Sequence, residues 1–303
     1  MATFGKGILM FRAIAKAQSS RSPLVLQASV RWLVPKNGFA TSSARQAMVT
    51  ISKDDQTGVA TLTLDKKPVN ALSLELMTEM NIAYDKLEAD NSVRGMILTS
   101  AIPNFFSGGL DITEMYQPKR ERLREFWRVF QGIWVKLYGS RLITMAALTG
   151  HCPAAGCMFA MCSDFSVMAK GKYVTGLNET RLGIVAPFWL VDSLVNTVGT
   201  HAADRALQFG ELYNADQAFK IGMVDGAAEM DQVLPMVQAE MAEWLKIPDA
   251  ARQISKMAIR KETLQKFMSK RDQELEEVTE FLMKDSIQKN IGKYLENLKK
   301  KKT

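Results

Sequence analysis

The chain has 303 residues, of which 47% are hydrophobic and 23% charged, with a net charge of +7, three cysteines and two histidines. That length supports a large core in one or two domains, and the composition is that of an ordinary globular protein. Three cysteines close together (Cys152, Cys157, Cys162) read as buried reduced thiols rather than a disulfide framework, and with only His151 and His201 beside them a metal centre is not expected.

The positive charge is concentrated at one end. Residues 1–45 hold Lys6, Arg12, Lys16, Arg21, Arg31, Lys36 and Arg45 and no acid, and the first acid is Asp54. Six serines lie in the same stretch: Ser19, Ser20, Ser22, Ser29, Ser42 and Ser43. A basic, serine-rich, acid-free leader is the pattern of a mitochondrial transit peptide. Arg12 and Lys16 interrupt the apolar run that a secretory signal would need. A tail with no address is the other reading. Without the leader the chain is close to neutral, which argues against nucleic-acid binding.

Strand patterns follow. MVTISK and Gly58–Leu64 both alternate, joined by a turn over Asp54–Gly58, which predicts a hairpin. Pro68 in KKPVNALS ends the pairing, and Ser73 is placed to cap a helix whose stripe is Leu76, Met77, Met80, Tyr84 and Leu87. Arg94–Ala101 reads as a strand, so that strand, helix and strand imply a right-handed crossover. In the segment from Asn104 to Met115, Gly108 and Gly109 free the backbone to bend, and Asp111 with Glu114 resembles a capping box. By itself this segment reads as a turn with no ligand. Residues 119–138 form an amphipathic helix with Leu123, Phe126, Trp127, Phe130, Ile133, Trp134 and Leu137 on one face, read as core or as a lipid-facing wall.

Leu142–Ser163 carries no formal charge over 22 residues, yet Gly150, His151, Cys152 and Pro153 divide it into a strand and a helix start, so it is not a membrane span. Pro153 is expected in the first helical turn. The small residues Ala154, Ala155 and Gly156 would let a ligand approach backbone N–H groups there, a geometry that suits an oxyanion. Phe165–Lys170 reads as a strand, and Glu179 is the lone acid of the mostly apolar run GLNETRLGIVAPFWL. On position alone Glu179 could equally be an N-terminal helix acid favoured by the dipole. Helices are expected over Val191–Val198 and Ala202–Phe209, then a helix, a Gly222 stop and a short strand, then helices from Asp231 with a break at Pro248. Those last helices are too charged to form a core alone and are expected to pack on the main domain or on a neighbouring subunit.

Five segments in this order and spacing (KPVNALS, FFSGGLDITEM, GHCPAAGCMFAMCSDF, GLNETRLGI and AFKIGMVD) resemble the crotonase, or enoyl-CoA hydratase/isomerase, superfamily over about residues 47–303. The GLNET…LGI…APFWL run is most similar to its mitochondrial isomerase subgroup. The resemblance implies an α/β fold, a spiral of ββα units over 46–230 with a C-terminal helical region over 231–303 for packing and homotrimer assembly. It implies an acyl-CoA thioester substrate, coenzyme A being part of that substrate with no separate cofactor and no metal. It also implies an oxyanion hole from the N–H groups of Leu110 and Ala155, the latter where the family usually has Gly. Gly108, Gly109, Leu110, Asp111, Ile112, Ala155 and Asn178 would contact substrate. Hydratases of the family use two carboxylates; here the first falls on Met158 and the second on Glu179. A single carboxylate suffices for a 1,3-proton shift, so the expectation is an isomerase converting 3-enoyl-CoA to 2-trans-enoyl-CoA in β-oxidation within the mitochondrial matrix, Glu179 being the base. The alternatives are dienoyl-CoA isomerisation, hydration, or a non-catalytic protein binding CoA thioesters or RNA. Asn178 has two readings, a cap or a pocket residue, and Phe188 and Trp189 read as acyl-tunnel wall or as core.

Overall fold

The computed structural model describes residues 47–300; the leader expected over 1–45 lies outside them. Strands β1 (Val49–Asp54) and β2 (Val59–Leu64) form the antiparallel hairpin, closed by Gly58 N–H donating to Asp54 O at 2.9 Å. Helix α1 (Leu74–Ala89) begins at Ser73, whose side chain accepts from the Leu76 N–H as expected of a cap. Strand β3 (Gly95–Ser100), helix α2 (Arg120–Tyr138) and strand β4 (Ile143–Leu148) follow. The short strand β5 (Cys152–Pro153) leads through a 3-10 turn (Ala154–Gly156) into α3 (Cys157–Cys162). Then come β6 (Phe165–Ala169), the short β7 (Thr175–Gly176), α4 (Phe188–Val198), α5 (Thr200–Phe209), α6 (Ala215–Lys220) and β8 (Gly226–Ala228). Helices α7 (Met230–Trp244), α8 (Asp249–Leu282) and α9 (Asp285–Lys300) complete the fold.

The main sheet has the order β1-β2-β3-β4-β6-β8, parallel from β2 onward. After β2, β3, β4 and β6 the chain steps into a second layer, where β5 pairs with β7 and isolated bridges join Leu72 to Leu110 and Phe105 to His151. This repetition of strand, short second strand and helix is the expected spiral of ββα units. Strands β3 and β4 are buried on both faces. One face carries Leu98, Ala146 and Leu148 into the main core, and the other carries Ile97, Ile143 and Met145 against Val233, Val237 and Met241 of α7. A strand covered on both sides has little use for polar positions, which is why residues 142–148 carry no charge and a single polar side chain, Thr144.

Several boundaries differ from the sequence reading. Pro153 sits in β5 with an extended backbone (ψ 166) and precedes the helical turn instead of entering it. Helix α4 starts at Phe188, three residues earlier than expected, because Pro187 takes the extended cap position before it. Asp111 and Glu114 form no reciprocal capping box. Asp111 accepts from the Thr113 N–H, but Glu114 accepts from the Leu74 N–H and pairs with Arg122, while the Asp111 N–H donates to Leu72 O. The three cysteines are buried and unpaired, and α2 is a core helix.

Helix α8 packs on α2 and α4, and Phe267 is fully buried among Trp134, Phe188 and Trp189. A buried ion cluster fixes its first half. The Asp164 carboxylate accepts from Lys256 Nζ at 2.7 Å, from Arg260 at 3.0 Å and from the Thr144 N–H at 2.9 Å. Arg260 also donates to Tyr138 O, Cys162 O and Ser163 O, so one guanidinium satisfies carbonyls at the C-terminal ends of both α2 and α3. No helix among the described residues is long and apolar enough to cross a membrane.

Candidate active site

Gly108 and Gly109 follow β3 as expected and bring two chain segments together. The Leu72–Leu110 bridge is made by Leu72 N–H to Gly109 O (2.9 Å) and Asp111 N–H to Leu72 O (3.1 Å). Residues alternate along such a bridge, so the intervening Leu110 N–H points away from Leu72. Gly109 has φ +84, and a methyl group placed on it would lie 3.1 Å from Pro153 O and 3.5 Å from Ala155 N. Ala155 belongs to the first turn after Pro153, where N–H groups have no intrahelical partner. The neighbouring Ala154 holds φ +52, a left-handed conformation that costs a non-glycine residue roughly 1–2 kcal/mol. Ala155, the position where the resemblance expects Gly, is not itself at positive φ.

Glu179 opens a 3-10 turn (Glu179–Leu182) that Gly183 ends at φ +74. Its carboxyl end is enclosed, and Oε2 is buried with no hydrogen-bond partner. Burial pushes its pKa up to about 7, opposed by a hydrogen bond involving its own backbone. A carboxyl group with that pKa can both take and return a proton near neutral pH.

Among the described residues Glu179 lines three cavities, two of which share the residues expected of the site. The smaller, about 80 Å³, is lined by Gly108, Ile112, Pro153, Ala154, Asn178, Leu182 and Tyr294. The larger, about 260 Å³, is walled by Trp127, Phe130, Phe188, Leu190, Val278, Phe281 and Leu282, together with Glu274 and Glu277. Leu110, Met115, Ala155, Glu179 and Ile184 line both. A reacting group at this junction would meet the two candidate N–H donors and the Glu179 carboxyl at once. The larger cavity lies just below the ~300–1,000 Å³ usual for small-molecule sites, a size for an apolar chain rather than for a whole nucleotide thioester.

The structure brings together Gly108, Leu110, Ile112, Ala155, Asn178 and Glu179 of the residues expected from sequence. Gly109 shapes the backbone behind them. Asp111 is used elsewhere: its carboxylate accepts from Thr113 and pairs with Lys66 at 3.3 Å. Asn178 makes no side-chain cap, which leaves it as a cavity residue. Phe188 lines the larger cavity, whereas Trp189 is fully buried core. Met158 is fully buried and lines neither cavity. Among the described residues no group of three or more His, Cys, Asp or Glu could hold a metal ion.

Sequence reasoning missed Glu274. It is one of many acidic residues in a highly charged helix, so nothing in the pattern marks it. Trp127 and Phe130 were visible only as core positions of α2. Tyr294, from α9, is likewise unmarked.

A chain with this spiral, this pair of N–H-bearing turns and this enclosed acid belongs to the enoyl-CoA hydratase/isomerase family, whose profile matches residues 54–302. It is 46% identical to mouse mitochondrial enoyl-CoA delta isomerase 1 over 255 residues, 84% of this chain and 88% of that protein. The human protein of the same name is 44% identical, over 84% of each chain. The crystal structure of human mitochondrial delta3-delta2-enoyl-CoA isomerase superimposes with a TM-score of 0.83 at 43% identity, covering 85% of this chain and all of that one.

Proposed function

We propose that this chain is an enoyl-CoA delta isomerase that moves the double bond of a 3-enoyl-CoA thioester to the 2-trans position, as required in β-oxidation of unsaturated fatty acids. The observation that carries the reading is Glu179, a half-buried acid whose Oε2 is enclosed without a hydrogen-bond partner and whose pKa is raised to about 7, lining both cavities. Met158 stands where a hydratase of the family would hold its other carboxylate, and it cannot titrate.

In this mechanism the thioester carbonyl sits between the N–H groups of Leu110 and Ala155, and the acyl chain enters the larger cavity. Glu179 takes a proton from C2. The C2–H electrons form a C1–C2 double bond, and negative charge collects on the thioester oxygen of a dienolate. Each N–H aimed at that oxygen is worth about 3 kcal/mol in the transition state. The enolate electrons then return to the carbonyl, the double bond moves to C2–C3, and C4 takes the proton back from Glu179. Atoms and charge balance with no added water and no cofactor, coenzyme A being part of the substrate. The relatives' mitochondrial designation and the acid-free, basic leader support a place in the mitochondrial matrix. A homotrimer, implied by the family resemblance, belongs to the same proposal.

The test separates proton shift from hydration. Purified protein is given a 3-enoyl-CoA and, separately, a 2-trans-enoyl-CoA, and products are resolved chromatographically. The expected result is conversion of the first to the conjugated 2-enoyl thioester with little 3-hydroxyacyl product from the second. Hydration of the second faster than isomerisation of the first overturns the reading.

A further inference from the structure

We infer that Glu274 is a specificity-determining residue: held by Trp127 and Gln131, it makes the far end of the larger cavity polar and limits the length of apolar chain accepted there. The inference rests on the proposed function only for the direction in which the acyl chain runs.

Glu274 is 6% exposed and lines the larger cavity but not the smaller one. Glu274 thus belongs to the larger cavity alone, whereas Leu110, Ala155 and Glu179 line both. Its carboxylate is deliberately held. Trp127 Nε1 donates to both oxygens at 3.1 Å, and Gln131 Nε2 donates to one at 2.5 Å. Gln131, itself fully buried, is oriented by Arg271, whose backbone carbonyl accepts from its amide and whose Nε donates to its Oε1 at 3.3 Å. Glu277, one turn further along α8, adds a second carboxylate to the same end.

The remaining wall is aromatic and aliphatic. A chain growing along it gains about fourfold in affinity per methylene buried. That gain stops where the next methylene must displace the solvation of a carboxylate, because an ionised group forced against apolar surface is costly unless paired. Trp127 and Gln131 make three hydrogen bonds to a carboxylate with four lone-pair positions, so the group stays short of full solvation. Glu274 thus acts as a polar stop without blocking the cavity sterically.

The test measures dissociation constants of saturated acyl-CoAs from hexanoyl to tetradecanoyl by calorimetry, for the full-length wild type, Glu274→Gln and Glu274→Met. Glutamine keeps the size and can accept from Trp127 and Gln131 while removing the charge; methionine removes the polarity. Wild-type affinity should climb about fourfold per methylene and then level off. In both variants the climb should continue by at least two further methylenes, so that the ratio of long-chain to short-chain affinity rises about tenfold or more. Circular dichroism confirms that each variant is folded; if methionine fails to fold, the glutamine variant alone decides. Parallel profiles in wild type and the folded variants, whether at equal or uniformly reduced affinity, overturn the inference. Binding needs no turnover, so a chain that binds acyl-CoA but shifts no double bond would refute the isomerase reading while still answering this question.

Discussion

A methyl group built on Gly109 would lie 3.1 Å from the Cβ of Ala154, closer than nearly all real contacts of that kind. The two residues belong to the two turns that present the candidate oxyanion donors, so a side chain at Gly109 would push those turns apart. Gly109→Ala must also hold φ +84 with a side chain. We expect kcat with a 3-enoyl-CoA to fall by about 10²–10³, the effect of losing one oxyanion donor. Stability should fall by no more than about 1–3 kcal/mol. Steady-state kinetics with a parallel urea melt separates the two.

Glu179 should set the acid limb of the pH–rate profile. The base must be ionised, and burial raises its pKa to about 7. The expected kcat/KM therefore rises tenfold per pH unit below about pH 7 and levels above it. An inflection near the ordinary carboxylate value would show that the group is not held as described.

The same burial carries a stability cost whose sign can be worked out. A raised carboxyl pKa means that the folded state binds the proton more tightly than the unfolded chain. The associated stability is present below pH ~4.5 and is lost as pH rises through about 7. At pH 8 the full penalty of the ionised, unpartnered group applies, on the order of 3 kcal/mol from the shift. Glu179→Gln should be more stable than wild type at pH 8, with the gap closing toward pH 4.5. Denaturant melts across this range check it.

Much of this site was legible in the sequence because its parts are local. Gly108 and Gly109 announce a turn, Pro153 and the small residues after it announce a helix start, and a lone acid in an apolar run stands out. The Asp111–Glu114 pair misled because its spacing is that of a capping box, while the partners that won, Leu74 and Arg122, come from other elements. Glu274 was not legible at all. Its burial depends on α8 crossing α2 so that Trp127 and Gln131 face it, a tertiary fact with no trace in a helix rich in lysine and glutamate.

The anchor of α8 makes a separate stability prediction. Asp164→Ala leaves Lys256 and Arg260 buried without their carboxylate, which typically costs about 3–5 kcal/mol. Lys256 is already strained toward neutrality, its pKa brought down to about 8 by burial. Because α8 supplies a wall of the larger cavity, the variant should also bind acyl-CoA more weakly at temperatures well below its midpoint. Thermal melts with and without ligand measure both effects.

If one carboxyl group carries the proton, its loss is best seen by comparing wild type and Glu179→Gln in the conversion of a 3-enoyl-CoA to the conjugated product, with acyl-CoA binding measured on both proteins. Binding should stay intact while kcat falls by at least about 10²-fold, as for a lost general base. A folded glutamine variant that turns over at the wild-type rate would contradict that role of Glu179.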